Sequence, residues 1–447
     1  MRTVVFALMA AAILLGIVQG EHIPFTAQLQ PGNAALLARG GDNVAQAYYL
    51  SLGRGVPADQ AEILLFWAND LYLAALEADP HNRRASLSAA ILFRELGQPD
   101  EVHSLLRPLR PGEVDERTRR ALGQVNALLI TESPALGAVE GSREYLTTIG
   151  PGPLLTAAGY RAKNKPDLAK ATLKEAARRA RPLLWRFIAA LAVDGAMVLC
   201  GLVVVIGALI RRRTRGSVAH EPIPMSPSWG TREAIEAVVL WVFLGVLLST
   251  AANSMAPLSG EPPAYLLLGP SVLSAVVAIG WVWAVARFRA GFGWYLATAL
   301  KRVAIGVGAT GLAVLPVLGL YRGFQLYLGE KPSQNPALPL LLIPDTWVAK
   351  ALLVLAVGIV IPALEETLFR GILFGGLRRR WSFWPAALAT AALFAVVHLN
   401  LTGFVAYLLL GLLFASLFER SRSLVTPWAA HAAFNIFNVM MLLVLFG

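Results

Sequence analysis

Apolar and polar positions alternate in two different rhythms along this chain. From about residue 183 onward, long apolar runs alternate with short polar connectors. A helix crossing a bilayer needs about 20 mostly apolar residues. Runs of that kind stand at 185–210, 233–255, 264–286, 303–326, 347–377, 383–400, 403–419 and 426–446. They predict about eight spans, and 347–377 is long enough to project beyond the bilayer. Residues 21–182 are different. There, apolar residues recur at helical spacing in 61–78 and again in 84–96, and a third pattern begins near Asp100. Asp79-Pro80 stops the first and Gly97-Gln98-Pro99 the second, as helix boundaries require. The expected fold is all-α: a polytopic membrane helical bundle preceded by a soluble α-helical, repeat-like domain.

The first residues read Met1-Arg2, an apolar run over 4–18, then Gln19-Gly20-Glu21. A basic start, a run of that length and small residues behind it fit a signal peptide or an uncleaved signal anchor. Residues 1–20 are therefore set apart, 21–182 form the helical domain, and 183–447 form the membrane domain. Within the helical domain, Asp79-Pro80-His81-Asn82 followed by Ala90, Leu96-Gly97 and Asp100-Glu101 resembles a tetratricopeptide repeat. A fainter echo spans 154–180, with a turn at Asn164-Lys165-Pro166-Asp167. Stacked helix pairs offer concave surfaces to peptides or partner proteins; the alternative is a plain helical domain without a groove.

Composition sharpens the membrane reading. Of 447 residues, 56% are hydrophobic and 15% charged, against roughly 45–50% and about 25% in soluble domains. The net charge of +11 invites a nucleic-acid reading, but zinc-finger spacing and an interleaved aromatic and basic face are both missing. No nucleic-acid partner is expected. Instead the basic residues sit beside the apolar runs. Arg211, Arg212, Arg213 and Arg215 follow the first span, Arg287, Arg289, Lys301 and Arg302 separate the third from the fourth, Arg378, Arg379 and Arg380 follow the fifth, and Arg420 and Arg422 the seventh. The alternate connectors are nearly free of them. The positive-inside rule puts the basic set in the cytoplasm, so residues 21–182 are expected outside it, in agreement with the signal segment. The expected location is the bacterial inner membrane. The one cysteine, Cys200, excludes an intrachain disulfide and a cysteine-based zinc site.

Charges inside apolar spans are expensive, at least about 2.5–3.5 kcal/mol each at the centre, and in the last third they cluster. Glu365-Glu366-Thr367-Leu368-Phe369-Arg370 comes first. Glu366 and Arg370 are four apart and share a helix face in the favourable acid-first order. Glu365 is turned about 100° from that pair, which leaves it available for proton transfer. His398 lies one turn after Phe394. His431 and Asn435 are again four apart, with Asn438 on nearly the same face. Of six histidines in the chain, two lie in this apolar third. Peptide hydrolysis needs a base for water and donors for the oxyanion, and these side chains can supply both. Asp194, mid-span in the first run, reads as a structural polar partner.

Glu365-Glu366-x-x-x-Arg370, Phe394-x-x-x-His398 and His431-x-x-x-Asn435 resemble, in order, the three signature motifs of the CAAX prenyl protease and bacteriocin-processing family. The resemblance covers roughly residues 352–447 and sets the expected catalytic core at about 347–447. It implies a multi-helix membrane core with the site buried among its helices. Glu365 would be the general base assisted by His398, His431 and Asn435 would form the oxyanion site, and Glu366 and Arg370 would hold the structure. The implied partners are a protein or peptide substrate and the lipid bilayer, with a further protein partner at the helical domain. No cofactor is required in the first expectation. Zinc is the alternative, with Glu365, His398 and His431 as its ligands, although nothing like His-Glu-x-x-His is present. Two other functions compete: a catalytically silent membrane scaffold or chaperone, and a transporter with a proton-relay carboxylate. The second lacks the internal repeat that transporters show.

Overall fold

A computed structural model describes residues 33–106, 116–131, 134–215, 228–259, 264–286, 292–294, 296, 298–328, 347–398, 400 and 403–446. The expected signal segment, Arg287, Arg289 and the connector 329–344 lie outside them, as does the side chain of Asp194. Every regular element among the described residues is helical. The chain divides at Ala190/Leu191 into two compact units.

The first unit is built from α1 (Asn33–Gly53), α2 (Ala58–Ala61), α3 (Ile63–Ala78), α4 (Arg83–Glu95), α5 (Asp100–Leu106), α6 (Glu116–Ile130), α7 (Leu136–Leu146), α8 (Gly152–Ala162) and α9 (Pro166–Arg179). The punctuation in the sequence sets these bounds. The Asp79 carboxylate accepts the His81 N–H at 3.0 Å, and the Asn82 side chain caps α4 by accepting the Ala85 N–H at 3.0 Å. Asn164 adopts φ 53° between α8 and α9, and Pro166 opens α9 where its missing N–H costs nothing. α1 lies along α3, and α9 packs on both α8 and α1. One buried carboxylate ties the middle together. Asp42 Oδ1 accepts the Tyr72 hydroxyl at 2.7 Å and the Gly150 N–H at 3.0 Å, while the Arg84 guanidinium stands 2.5 Å from Oδ2. Tyr49 donates to the Gly150 carbonyl at 3.0 Å. The N–H and the carbonyl of Gly150 are thus both held by α1. Burial pushes the Asp42 carboxyl up from 3.8, against the opposing pull of Arg84, Tyr72 and Gly150.

α10 (Arg181–Arg215) runs across that boundary, and in chain order the second unit continues with α11 (Thr231–Ser259), α12 (Ala264–Val285) and α13 (Ala299–Leu328). A long composite helix comes next: α14 (Trp347–Leu355), a first π segment (Ala356–Val360), α15 (Ile361–Glu366), a second π segment (Thr367–Phe374) and α16 (Gly375–Arg378). The chain closes with α17 (Phe383–Val397), α18 (Phe404–Ser421) and α19 (Val425–Phe446). Each of the eight expected apolar stretches is a helix. Five described helices are long and apolar enough to cross a membrane, and Gly269–Val285 and Phe383–Val397 are shorter apolar helices. Many of their large apolar side chains point outward, among them Leu191, Val203, Leu247, Val276, Leu315 and Leu352. A surface facing lipid has that character, and the chain is an integral membrane protein. Where α10 and α13 cross, glycine allows backbone contact. A Cβ on Gly311 would strike the Met197 backbone, and one on Gly201 would strike the Gly308 carbonyl. Thr310 then reaches α19 and donates to the Ala430 carbonyl at 2.6 Å.

Candidate active site

The composite helix carries the carboxylates, and a proline, Pro362, stands between its two π segments. In a π turn the N–H of residue i+5 donates back to residue i; Ile361 N–H does so to Ala356 O. The residue five on from Val357 is Pro362, which has no N–H. The Val357 carbonyl is left for another donor, and Asn435 Nδ2 supplies it at 3.0 Å. Two turns earlier on α19, Trp428 Nε1 donates to the Ile359 carbonyl at 3.1 Å. α19 is therefore fastened to the first π segment at two points, about two turns before Glu365 and Glu366.

From that seat α19 presents His431 to both glutamates. His431 Nδ1 lies 3.0 Å from Glu366 Oε1, and His431 Nε2 lies 3.7 Å from Glu365 Oε2. Glu366 Oε1 also accepts Arg370 Nη1 at 3.0 Å. This pair is sealed, with 0% of the Glu366 side chain and 1% of the Arg370 side chain exposed, whereas Glu365 keeps 18%. The only accessible carboxylate of the three charged groups is thus the one without an arginine. Arg370 is enclosed by rings. Its guanidinium carbon stands 5.6, 4.7 and 5.1 Å from the centroids of Phe369, Phe394 and Phe414, and Nη2 donates to the Gly411 carbonyl at 3.3 Å. Phe414 also stacks on His431, centroids 4.9 Å apart and planes at 21°. The aromatic wall both covers a buried cation and fixes the imidazole plane.

His398 caps the C-terminus of α17. With 15 residues, α17 is about 22 Å long at 1.5 Å per residue, short of the ~30 Å hydrocarbon core. A helix that stops inside the membrane delivers its last residue at depth, where irregular backbone is tolerated if protein surrounds it. His398 Nδ1 is 2.6 Å from the Phe394 carbonyl. A carbonyl only accepts, so Nδ1 carries the proton and Nε2 keeps a lone pair unless the ring is charged. His398 is within electrostatic range of Glu365, His431 and Arg370.

The structure thus brings Glu365, Glu366, Arg370, His398 and His431 into one cluster. Asn435 lies one turn beyond His431 and its amide engages the composite helix. Asn438 turns back to the Phe434 carbonyl, 2.8 Å away, and takes no part. Among the described residues, no group of three or more His, Cys, Asp or Glu side chains is arranged to hold a metal ion. Glu365, His398 and His431 do not form such a set, and His431 Nδ1 is taken by Glu366. Sequence reasoning missed Phe414, Tyr407 and the Val357 carbonyl. For the carbonyl, Pro362, three residues before Glu365, was the visible sign; for the rings, no spacing distinguishes them from other apolar positions.

Residues 347–437 match the family model described as Type II CAAX prenyl endopeptidase Rce1-like. A 99-residue stretch is 37% identical to the "Putative membrane peptidase YdiL" of Bacillus subtilis, covering 22% of this chain and 41% of that protein. A 130-residue stretch is 35% identical to an "Uncharacterized 24.3 kDa protein" of Escherichia coli, covering 28% of this chain and 57% of that one. The matched stretches span only about half the length of these curated relatives. No solved structure matches. The matched region contains the whole polar cluster, and the helical unit lies outside it.

Proposed function

We propose that this chain is an intramembrane endopeptidase that hydrolyses peptide bonds of membrane-associated proteins or peptides. The observation that carries the reading is the His431 imidazole set between two carboxylates, one sealed by Arg370 and one left accessible, inside an Rce1-like segment. Glu365 takes a proton from water with His398 beside it, and the hydroxide attacks the substrate carbonyl carbon. The tetrahedral oxyanion accepts N–H bonds from His431 and Asn435. Collapse breaks the C–N bond, and the proton held by Glu365 passes to the leaving nitrogen. Two details of the geometry bear on the donors. His431 Nδ1–H is directed at Glu366, so Nε2 donates only when the ring carries a second proton. Asn435 Nδ2 has two N–H groups: one holds Val357 O, and the other is the one an oxyanion would use. No step is routed through a metal.

The helical unit is read as an extracytoplasmic, tetratricopeptide-like domain that recruits substrates or partners, in the inner membrane of a bacterium. The basic residues beside alternate spans support this orientation. The test compares protein N- and C-termini in native membranes from cells expressing wild type or Glu365→Ala at matched levels. Fragments present only with wild type, and absent again in His398→Ala, are the expected result. Identical termini in all strains, with the phenotype retained, would move the reading to a silent scaffold.

A further inference from the structure

Tyr407 belongs to none of the three motifs, yet it lies against the site. Its ring stacks on the His398 imidazole, centroids 4.2 Å apart and planes at 22°. Phe394 covers the imidazole from another side, at 4.6 Å and 58°. The Asn400 side chain lies beside the Tyr407 hydroxyl, and Asn400 Oδ1 accepts the Gly403 N–H at 2.9 Å. Gly403 completes the arrangement. A Cβ there would come within 2.6 Å of Tyr407 Cε2 and 3.2 Å of Asn400 Cγ, so only glycine leaves the ring its place. Three residues of the turn between α17 and α18 and its first helical turn are therefore spent on one imidazole.

An imidazole rotates broadly about its last torsion, and rotation by half a turn exchanges the places of Nδ1 and Cδ2 and of Nε2 and Cε1. The 2.6 Å contact to Phe394 O selects one orientation. A ring held between two aromatic planes loses the freedom to leave it. Resting on the peptidase reading above, in which His398 assists Glu365, we propose that the ring of Tyr407, seated by Gly403, is a positioning group that holds His398 in the Nδ1–H form with the Nε2 lone pair free to accept a proton.

The experiment uses full-length protein labelled with 15N-histidine in lipid nanodiscs, where nitrogen shifts separate the two neutral tautomers. The His398 signal is identified by its loss in His398→Gln. Wild type and Tyr407→Phe, which keeps the ring, are expected to show His398 as a single Nδ1–H species. Tyr407→Leu is expected to show both tautomers, and Gly403→Ala, which keeps the tyrosine but displaces its ring, to do the same. The His431 signal serves as the control for folding and should not move. A single unchanged tautomer in both Tyr407→Leu and Gly403→Ala overturns the proposal. The outcome does not depend on turnover: tautomer mixing in the variants without wild-type-specific fragments in cells would sustain the positioning role and remove the peptidase reading. Where fragments do appear, their yield in Tyr407→Phe should stay near wild type and fall at least several-fold in Tyr407→Leu.

Discussion

Asn435 and Val357 are joined side chain to main chain across two helices, 3.0 Å from Nδ2 to O, because Pro362 cannot donate to that carbonyl. The relationship is testable as a coupling. Asn435→Ala leaves a buried carbonyl without a partner and should cost about 1–3 kcal/mol. In a Pro362→Ala background an N–H becomes available to Val357, and the same truncation should cost about 1 kcal/mol less. Thermal unfolding of the four proteins in detergent gives the cycle. Losses that add within about 0.5 kcal/mol would mean that the two sites are independent.

The Glu366–Arg370 pair is fully enclosed. Removing Arg370 leaves Glu366 a buried carboxylate with His431 Nδ1 at 3.0 Å and no arginine, and breaking a buried pair in this way costs about 3–5 kcal/mol. Arg370→Met should therefore lower the melting temperature more than Glu366→Gln/Arg370→Met does. If the double variant is the less stable, the pair is held together by something other than its charges.

Helix crossing by α10 and α13 depends on absent side chains. Gly311→Val would drive a branched side chain into the Met197 main chain, and overpacking of this kind costs typically about 1–3 kcal/mol. Ala at Gly195, where a Cβ meets nothing within 4 Å, should be tolerated. Comparable melting temperatures for both variants would contradict close packing at the crossing.

Two carboxyls of the helical unit should respond to acid in opposite directions. The exposed Glu175 carboxyl is held at about 2 by hydrogen bonds from Arg178 and Arg179. Its contribution is present above 4.5 and is lost as pH falls towards about 2. Asp42 is held above 3.8 by burial, so its contribution is full below that value and declines as pH rises through the folded-state value. Glu175→Gln should flatten the acid limb of a helicity-against-pH curve, and Asp42→Asn should flatten the slope on the other side. Parallel curves for wild type and both variants would rule out these linkages.

Much of this molecule is legible in its sequence. The eight apolar stretches needed only length and hydropathy, and the Asp79-Pro80 and Asn164-Lys165-Pro166 breaks needed only local backbone rules. The polar cluster was visible because Glu365, Glu366, Arg370, His398 and His431 are costly where they stand. Their mutual arrangement was not visible. Regular α geometry turns Glu365 away from the Glu366–Arg370 pair, and nothing in that geometry shows that His431 reaches both glutamates. Counting along the sequence puts His431 nearer to Arg422 than Glu365 is to Arg378, yet His431 lies 3.0 Å from Glu366. Counting along a helix cannot register a turn of different width, and spacing within one segment carries no information about which ring of another will face it, as Tyr407 and Phe414 show.

The two π segments have a consequence for how this chain tolerates insertion and deletion. Each wide turn takes up one residue more than an α turn. Deleting a single residue from 356–360 and letting the other four relax to ordinary pitch would leave everything after it near its present azimuth, because a wide turn and an α turn each complete about one revolution. The same deletion in Ile361–Glu366, with no wide turn to absorb it, would swing everything after it by about 100° and carry Arg370 out of its cage of rings. The composite helix thus keeps its slack in the two wide turns, and the α turns between them must keep their residue count.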